Sequence, residues 1–158
     1  MLTILLAETD PGITEILHRL MLNLQASVLN RKGCISLLIH FRGGGVLKAP
    51  LGEVPQKFEE FEGFFAKLKT EKGGFEEALK KTKPGKVVVM SPKGENDTSV
   101  ISGSESGGRI TVVVGGFTKG DLSEKVYDSA DYIVSLSKDL LDIWTVIKKV
   151  LIAYEKNS

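Results

Sequence analysis

The residues best suited to chemistry lie between 109 and 155, where a glycine-rich segment, GGFTKG at 115–120, separates two apolar runs. Those runs predict strands at 110–114 and 132–136, and an amphipathic helix follows them. Backbone groups at strand ends and at a helix N-terminus can bind a polar nucleoside without charged side chains. This order of elements therefore predicts a pocket for an adenosyl ligand.

The segment at 115–120 fits neither of two common phosphate-binding patterns. Lys119 precedes the final Gly120 instead of following it, so the Gly-Lys-Ser/Thr ending of a P-loop is missing. The glycine spacing is not G-x-G-x-x-G either. An ordinary strand-end turn, in which glycine supplies a positive φ, is the alternative interpretation.

Side chains typical of other chemistries are scarce. His18 and His40 lie far apart, and no Cys or carboxylate cluster has metal-ligand spacing, so we expect no metal. The chain has no G-x-S-x-G motif for a hydrolase nucleophile. Ser137 and Asp139 are predicted helix caps, and the helical spacing of Trp144 favours a place in the core.

Composition limits the class of protein. The chain has 158 residues, 42% of them hydrophobic, which predicts one domain over 1–158. With 21 Lys and Arg against 20 Asp and Glu, the net charge of +1 argues against strong non-specific nucleic-acid binding but permits a local basic patch. The lone Cys34 predicts a buried, reduced thiol. We find neither a basic leader nor the roughly 20 apolar residues that span a bilayer, so we expect a cytoplasmic protein without membrane contact.

Hydrophobic periodicity predicts alternating strands and helices. Short apolar runs predict strands at 3–6, 34–41, 46–49, 86–90, 110–114 and 132–136. Helices are predicted from 10–12 onward, from 55 to 73, at 75–81 and along 140–154. This alternation is typical of an α/β sheet that is parallel at its centre. The Ser- and Gly-rich segment 94–108 is predicted to be either poorly ordered or a functional loop.

In their order along the chain, these motifs resemble the SPOUT-class pseudouridine methyltransferases of ribosome biogenesis, the Nep/Emg group. That family has a Gly-Gly-Phe-x-x-Gly loop followed by a Leu-x-x-Trp-Thr-Val helix. The matching residues here are Gly115, Gly116, Phe117, Gly120, Leu141, Trp144, Thr145 and Val146. Weaker similarity at 22–33, 38–47 and 55–63 extends the resemblance over most of the chain from about residue 13.

The resemblance implies a SPOUT fold, a mostly parallel sheet with helices on both faces and a C-terminal trefoil knot within about 86–158. It implies a homodimer, S-adenosyl-L-methionine as cofactor, and methylation of pseudouridine N1 in small-subunit rRNA. The last helix of such proteins usually lies at the subunit interface. The cofactor contacts that it implies are Met90, Ser91, Gly115, Gly116, Phe117, Gly120, Leu136, Ser137, Lys138, Leu141 and Trp144.

The same resemblance suggests catalytic and RNA-binding residues. Glu15 occupies the position of a family Asp and is the first candidate for orienting the substrate or accepting its proton, with Asp121 second. Either could also be an ordinary surface carboxylate. Arg19, Arg31 and Arg42 are the remaining candidates for contact with RNA.

The chain departs from the family at its RNA-binding arginines. Glu53, Gln56 and Glu60 stand where the family has arginines, and 13–16 lacks a further one. Each lost arginine removes a charge-assisted phosphate contact, and each glutamate adds repulsion. Two alternatives therefore stay open: a non-catalytic S-adenosylmethionine-binding dimer in ribosome assembly, and an enzyme with another RNA or a small molecule as substrate.

Overall fold

The computed structural model of the chain describes residues 1–103 and 108–158. Its centre is a six-stranded sheet with β1 Leu2–Thr9, β2 Ile35–Phe41, β3 Val46–Ala49, β4 Lys86–Glu95, β5 Ile110–Gly115 and β6 Tyr132–Val134. The strand order is β3-β2-β1-β5-β4-β6. Every neighbouring pair is parallel except β2 with β3 at one edge. The predicted sheet with a parallel centre is therefore confirmed.

Helices cover both faces of this sheet. They are α1 Thr14–Gln25, α2 Val28–Arg31, α3 Phe58–Ala66, α4 Phe75–Thr82, α5 Glu124–Asp128 and α6 Ile143–Asn157, with a short 3-10 turn at Thr98–Val100. Because successive strand residues point to opposite faces, β1 supplies Ile4 to the core under α1, α3 and α6, and Leu5 to the core under α4 and α5. Both residues are fully buried, which explains why a central strand is apolar throughout.

The predicted helix from 55 to 73 is too long at both ends. Helix α3 begins after its N-cap Lys57 and ends at Ala66. The chain then returns to the sheet, where Val46 and Glu71 exchange two backbone hydrogen bonds of 2.8 and 2.9 Å. This long-range pairing ends the helix although the apolar stripe continues to Leu68.

The last helix begins later than predicted. Its N-cap is Asp142, whose carboxylate accepts hydrogen bonds from the backbone N–H and the hydroxyl of Thr145 at 2.8 and 2.9 Å. The Ser137 hydroxyl instead accepts from the Asp139 N–H at 3.1 Å within the preceding loop. The predicted caps at Ser137 and Asp139 are therefore wrong, and Leu140, 60% exposed, lies outside the helix.

Three smaller predictions also change. Strand β4 extends to Glu95 rather than ending at 90, because Met90 and Glu95 both pair with Val134 across an irregularity in the ladder. Cys34 is only half-buried. The predicted loop at 94–108 thus includes strand and 3-10 structure, and its residues 104–107 lie outside the described residues.

Within the described parts of the chain, each helix is too short or too polar to cross a bilayer. In the same parts, no three His, Cys, Asp or Glu side chains form a group that could hold a metal ion. The trefoil knot stays a prediction from the resemblance.

Candidate functional site

A cavity of about 350 Å³ opens beside the part of β4 from Met90 to Lys93, where the neighbouring strands β5 and β6 end. Parallel pairing of β4 with β5 and β6 brings these parts of the sheet together. That part of β4 and the loops after β5 and β6 form the walls, and the first turns of α6 contribute Ile143 and Val146. The cavity thus lies where ligands of open α/β sheets bind.

Nine of the eleven predicted cofactor contacts line this cavity. They are Met90, Ser91, Gly115, Phe117, Gly120, Leu136, Ser137, Lys138 and Leu141. Gly116 and Trp144 are not part of its lining, and Trp144 packs against the core on the α6 side of the sheet. The structure gathers most of the predicted residues at one place, while their contact with a cofactor stays a prediction.

Gly116 does not line the cavity, but it connects the loop after β5 to the end of β1. Its N–H donates to Ala7 O and its carbonyl accepts from the Asp10 N–H, both at 2.9 Å. A Cβ added to Gly116 would lie 2.1 Å from Thr9 Oγ1, closer than any side chain allows. Position 116 therefore requires glycine, because any side chain there would keep the end of β1 away from this loop. This explains the second of the two consecutive glycines, Gly115 and Gly116.

Arg42 is the predicted RNA contact nearest to the cavity. Its guanidinium lies 5.4 Å from the ring centroid of Phe117, a cation–π distance, and Phe117 lines the cavity. Arg19 is exposed on α1. Arg31 is exposed at the end of α2, which leads into the amino end of β2, at the opposite edge of the sheet. The three arginines therefore do not converge within one chain.

A hydrogen-bonded network forms one wall of the cavity. The Tyr127 hydroxyl donates to Asp121 Oδ1 at 2.5 Å and accepts from the Ser91 hydroxyl at 2.7 Å. Asp121 Oδ2 forms an ion pair with Lys93, and the Lys93 N–H donates to Ser91 Oγ at 3.1 Å. The network connects the loop after β5 with β4 and with α5.

The protonation of these groups follows from their contacts. Partial burial raises the pKa of Asp121, but hydrogen bonds from Lys93, Tyr127 and the Leu122 N–H outweigh it and lower that pKa. The hydrogen bond to Asp121 raises the pKa of Lys93. Burial, followed by the hydrogen bond to Asp121, raises the pKa of Tyr127. At neutral pH the wall therefore holds a carboxylate, an ammonium group and a neutral phenol.

The two predicted catalytic carboxylates have different surroundings. Asp121 lines the cavity, but both of its carboxylate oxygens already have partners. Oδ1 accepts hydrogen bonds from Tyr127 and Leu122, and Oδ2 forms an ion pair with Lys93. Glu15 is exposed in the first turn of α1, beyond the carboxyl end of β1, and does not line the cavity. Of the two, Glu15 has the carboxylate that is more accessible to a substrate.

Sequence reasoning missed Glu8, Tyr127 and Lys93. Glu8 Oε1 accepts a 2.6 Å hydrogen bond from the Ser123 N–H, which ties the end of β1 to the start of α5. Its position at the carboxyl end of a central strand was a usable signal, because polar residues at such ends often serve a site. The partners of Asp121 gave no such signal, since neither belongs to a recognisable motif.

The cavity suits an adenosyl group in size and lining. Its volume falls within the roughly 300–1,000 Å³ of typical small-molecule sites. Leu136, Leu141 and Ile143 offer apolar surface for a flat base, and Gly115 and Gly120 line the cavity without a side chain. Lys93 and Asp121 supply opposite charges at its wall.

A mostly parallel sheet with a cavity of nucleoside size at the carboxyl ends of its strands is the arrangement of a ligand-binding α/β protein. The family described as EMG1/NEP1 methyltransferase matches residues 8–155. The chain belongs to that family.

Similar proteins agree with this assignment. The ribosomal RNA small subunit methyltransferase Nep1 of Thermoplasma volcanium is 29% identical over 162 residues, which cover 92% of this chain and 71% of the relative. Its counterpart from Methanothrix thermoacetophila is 28% identical with the same coverage. The crystal structure of Archaeoglobus fulgidus Nep1 bound to S-adenosylhomocysteine has a TM-score of 0.74 and 16% identity, covering 99% of this chain and 97% of its own. That similarity supports the fold.

Proposed function

We propose that the protein is an S-adenosylmethionine-dependent methyltransferase that acts on small-subunit ribosomal RNA. The observation that carries this proposal is the cavity beside β4 and the ends of β5 and β6, lined by nine residues of the expected cofactor set. Family membership supports the reaction type, and the relatives named as small-subunit rRNA methyltransferases support the substrate. Action on rRNA would place the protein in the cytoplasm.

The proposed cofactor site combines apolar side chains and glycines with a polar wall of Asp121, Lys93 and Tyr127. S-adenosylmethionine, when bound, supplies an activated methyl group on a sulfonium. Leu136, Leu141 and Ile143 are the side chains suited to hold its adenine, beside Gly115 and Gly120, which line the cavity without a side chain. The contribution of the chain is to hold the two reactants in line and to exclude water.

The proposed acceptor is N1 of pseudouridine, which the resemblance to the family suggests. A nucleobase entering the cavity passes the Arg42–Phe117 pair, where a cation can contact a phosphate and an aromatic ring can contact a base. Asp121 is held ionised by its partners and positions Lys93 and Tyr127. Glu15 is then the side chain proposed to accept the N1 proton, because its carboxylate is exposed at the same edge of the sheet.

A homodimer is also proposed. Helix α6 packs its buried side on the sheet, yet Ile152 on its outer side is 57% exposed. An exposed branched apolar residue on the last helix is consistent with an interface there. Light scattering of the wild type and of Ile152→Glu tests this: we expect a dimer that dissociates on substitution, and a wild-type monomer would contradict it.

The central experiment measures cofactor binding and methyl transfer separately. Calorimetry with S-adenosylmethionine should show one site per chain, and an absence of binding would overturn the proposal. Transfer of a labelled methyl group to small-subunit rRNA fragments should require pseudouridine and fail with uridine at the same position. Cofactor binding without any transfer would favour the non-catalytic alternative.

Two matched substitutions test the proposed proton acceptor. Glu15→Gln should slow methyl transfer by roughly 100-fold or more, the usual contribution of a general base, while leaving cofactor affinity unchanged. Glu62→Gln on α3 makes the same chemical change at another exposed carboxylate and should leave transfer unaffected. Equal rates for the two variants would exclude Glu15 from the reaction.

A further inference from the structure

A second cavity, of about 440 Å³, lies at the amino ends of the parallel strands, whereas the cofactor cavity lies towards their carboxyl ends. Residues near the amino ends of β1, β2 and β5 line it, together with β3 and the C-terminal end of α4. Strand β1 has eight residues, so the two cavities are separated by roughly 25 Å. The second cavity is therefore distinct from the cofactor site.

Cationic side chains dominate the lining of this second cavity, which we call the basic cavity. They are Lys48, Lys69, Lys81, Lys83 and Arg109. Glu71 is the only carboxylate among the described lining residues, and it already pairs with Lys81. The formal charge of this lining is +4, whereas the whole chain carries +1. Positive charge is thus concentrated here in an otherwise balanced protein.

Some of these cations have a local structural explanation when taken singly. A lysine on an edge strand, such as Lys48, discourages pairing with another sheet. Lys81 and Lys83 lie at the C-terminal end of α4, where the helix dipole favours cations. Neither explanation requires that side chains from β3, from α4 and from two further loops face one cavity. Like charges placed together repel one another, so their convergence indicates an anionic ligand.

The remaining lining residues indicate which part of a nucleic acid would bind. No described residue of the lining is aromatic, so no ring is available there for stacking on bases. Lysines act as point charges for phosphate and read no sequence. Together these features favour contact with the phosphate backbone.

We propose that the basic cavity binds the phosphate backbone of the substrate RNA, as a second contact remote from the methyl-transfer site. This inference rests on the proposed function, because it takes RNA to be the substrate. It also accounts for the departure from the family at Glu53, Gln56 and Glu60, all of them exposed. Cations at another edge of the sheet would replace phosphate contacts that these three positions do not provide.

The test measures RNA affinity in two matched double variants. Lys48→Gln with Lys83→Gln removes two charges from the basic cavity. Lys57→Gln with Lys67→Gln removes two exposed charges that flank α3. Fluorescence anisotropy with a labelled small-subunit rRNA fragment, repeated over a range of salt concentrations, gives both the affinity and its salt dependence.

We expect the first variant to bind roughly tenfold or more weakly at about 0.15 M salt, and the magnitude of the slope of log affinity against log salt to fall by about 0.7–0.9 per lost contact. The second variant should match the wild type. Equal losses in the two variants would reduce the effect to overall charge and overturn the inference. An unchanged first variant would overturn it too and leave the proposed function intact, whereas a wild type that binds no RNA would overturn both.

Cofactor binding separates this loss from a folding defect. Calorimetry with S-adenosylmethionine should give wild-type affinity in the Lys48→Gln, Lys83→Gln variant, because the cofactor cavity lies at the other edge. Loss of cofactor affinity together with RNA affinity would mean that the substitutions damage the fold. In that case the single variant Arg109→Gln, with the same measurements, decides: unchanged RNA affinity in a variant that binds cofactor normally would overturn the inference.

Discussion

The Tyr127 hydroxyl donates a 2.5 Å hydrogen bond to Oδ1 of Asp121, at the wall of the cofactor cavity. The same oxygen accepts from the Leu122 N–H at 2.8 Å, and Oδ2 pairs with Lys93. A carboxylate with a lowered pKa and occupied oxygens is a poor proton acceptor at neutral pH. Asp121 therefore positions other groups, which separates its role from that proposed for Glu15.

Replacement of Tyr127 by Phe should destabilise the fold in a pH-dependent way. Asp121 has a lower pKa in the folded than in the unfolded protein, so its stabilising effect is present above the unfolded value and is lost as pH falls through the folded value. We expect Tyr127→Phe to lower the free energy of unfolding by about 1 kcal/mol near neutral pH and by less in acid. Urea unfolding at both pH values measures this.

Tyr132 provides the control for that substitution. Tyr132 as a whole residue is 45% exposed, so Tyr132→Phe should change the free energy of unfolding little at either pH. If Tyr127→Phe instead lost the same free energy in acid as at neutral pH, packing of the Tyr127 ring would explain the effect rather than the ionised hydrogen bond.

Replacement of Gly116 by Ala tests the close approach behind the cavity. The added Cβ would lie 2.1 Å from Thr9 Oγ1 and 2.8 Å from Thr9 Cα, so the backbone must move. Overpacking of this kind costs about 1–3 kcal/mol, and the displaced loop should also bind S-adenosylmethionine more weakly. Thermal unfolding and calorimetry measure the two effects.

Gly43 is the matched control for Gly116. An added Cβ there meets nothing within 4 Å, so Gly43→Ala should leave the stability and the cofactor affinity near wild type. Wild-type stability in Gly116→Ala would show that the loop can relax, and that this glycine is not needed for the approach.

The parts of the fold that could be predicted from the sequence are those set by residues that are neighbours along the chain. The apolar runs at 87–89 and 110–114 are buried on both faces, which makes a parallel strand readable from sequence. The glycines at 44 and 45, with φ of 96° and 117°, made the β2–β3 hairpin equally readable. The carboxyl-edge cavity followed from these strands by a general rule for α/β sheets.

The predictions that failed concern features that are set by contacts between residues far apart in the sequence. Helix α3 ends because Glu71 pairs with Val46 across 25 positions, which no local pattern contains. The cap of the last helix is Asp142, whereas Ser137 and Asp139, the two predicted caps, hydrogen-bond to each other in the loop that lines the cavity. The partners of Asp121 were equally hidden, since the sheet brings the distant Lys93 to it and Tyr127 reaches it from α5.

Glu8 should stabilise the loop between β5 and α5. The Glu8 carboxylate accepts a charge-assisted hydrogen bond of 2.6 Å from the Ser123 N–H. The backbone of Glu8 itself has a positive φ of 53°. Glu8→Ala removes the hydrogen bond, so we expect a loss of about 2 kcal/mol in unfolding free energy. Hydrogen exchange should also quicken at residues 116–123.

Glu15→Ala is the stability control, because it removes an exposed carboxylate from the first turn of α1. Its effect should stay within about 0.5 kcal/mol. If Glu8→Ala were no more destabilising than Glu15→Ala, or left the exchange at 116–123 unchanged, the hydrogen bond to Ser123 would not hold the loop.

His40 should make the stability of the protein depend on pH near the acid side of neutrality. Its Nδ1 accepts a 3.0 Å hydrogen bond from the Glu8 N–H, which requires that this nitrogen carry no proton. Burial lowers the pKa of His40 from 6.5, and the nearby Glu8 and Glu77 oppose the shift only in part. The unfolded chain therefore takes up the proton first as pH falls.

It follows that His40 stabilises the fold at pH values above about 6.5, and that this stabilisation is lost as pH falls through the lowered pKa. Unfolding of the wild type between about pH 8 and pH 5 should show the loss. His40→Asn places an amide oxygen near the Nδ1 position and cannot titrate, so its stability should depend less on pH in this range. An NMR titration of the imidazole protons gives the pKa of His40 directly.

Two results would contradict this role of His40: a His40 pKa at or above 6.5, or an unchanged pH dependence of stability in His40→Asn. The variant His18→Asn makes the same substitution at the other histidine and serves as the comparison.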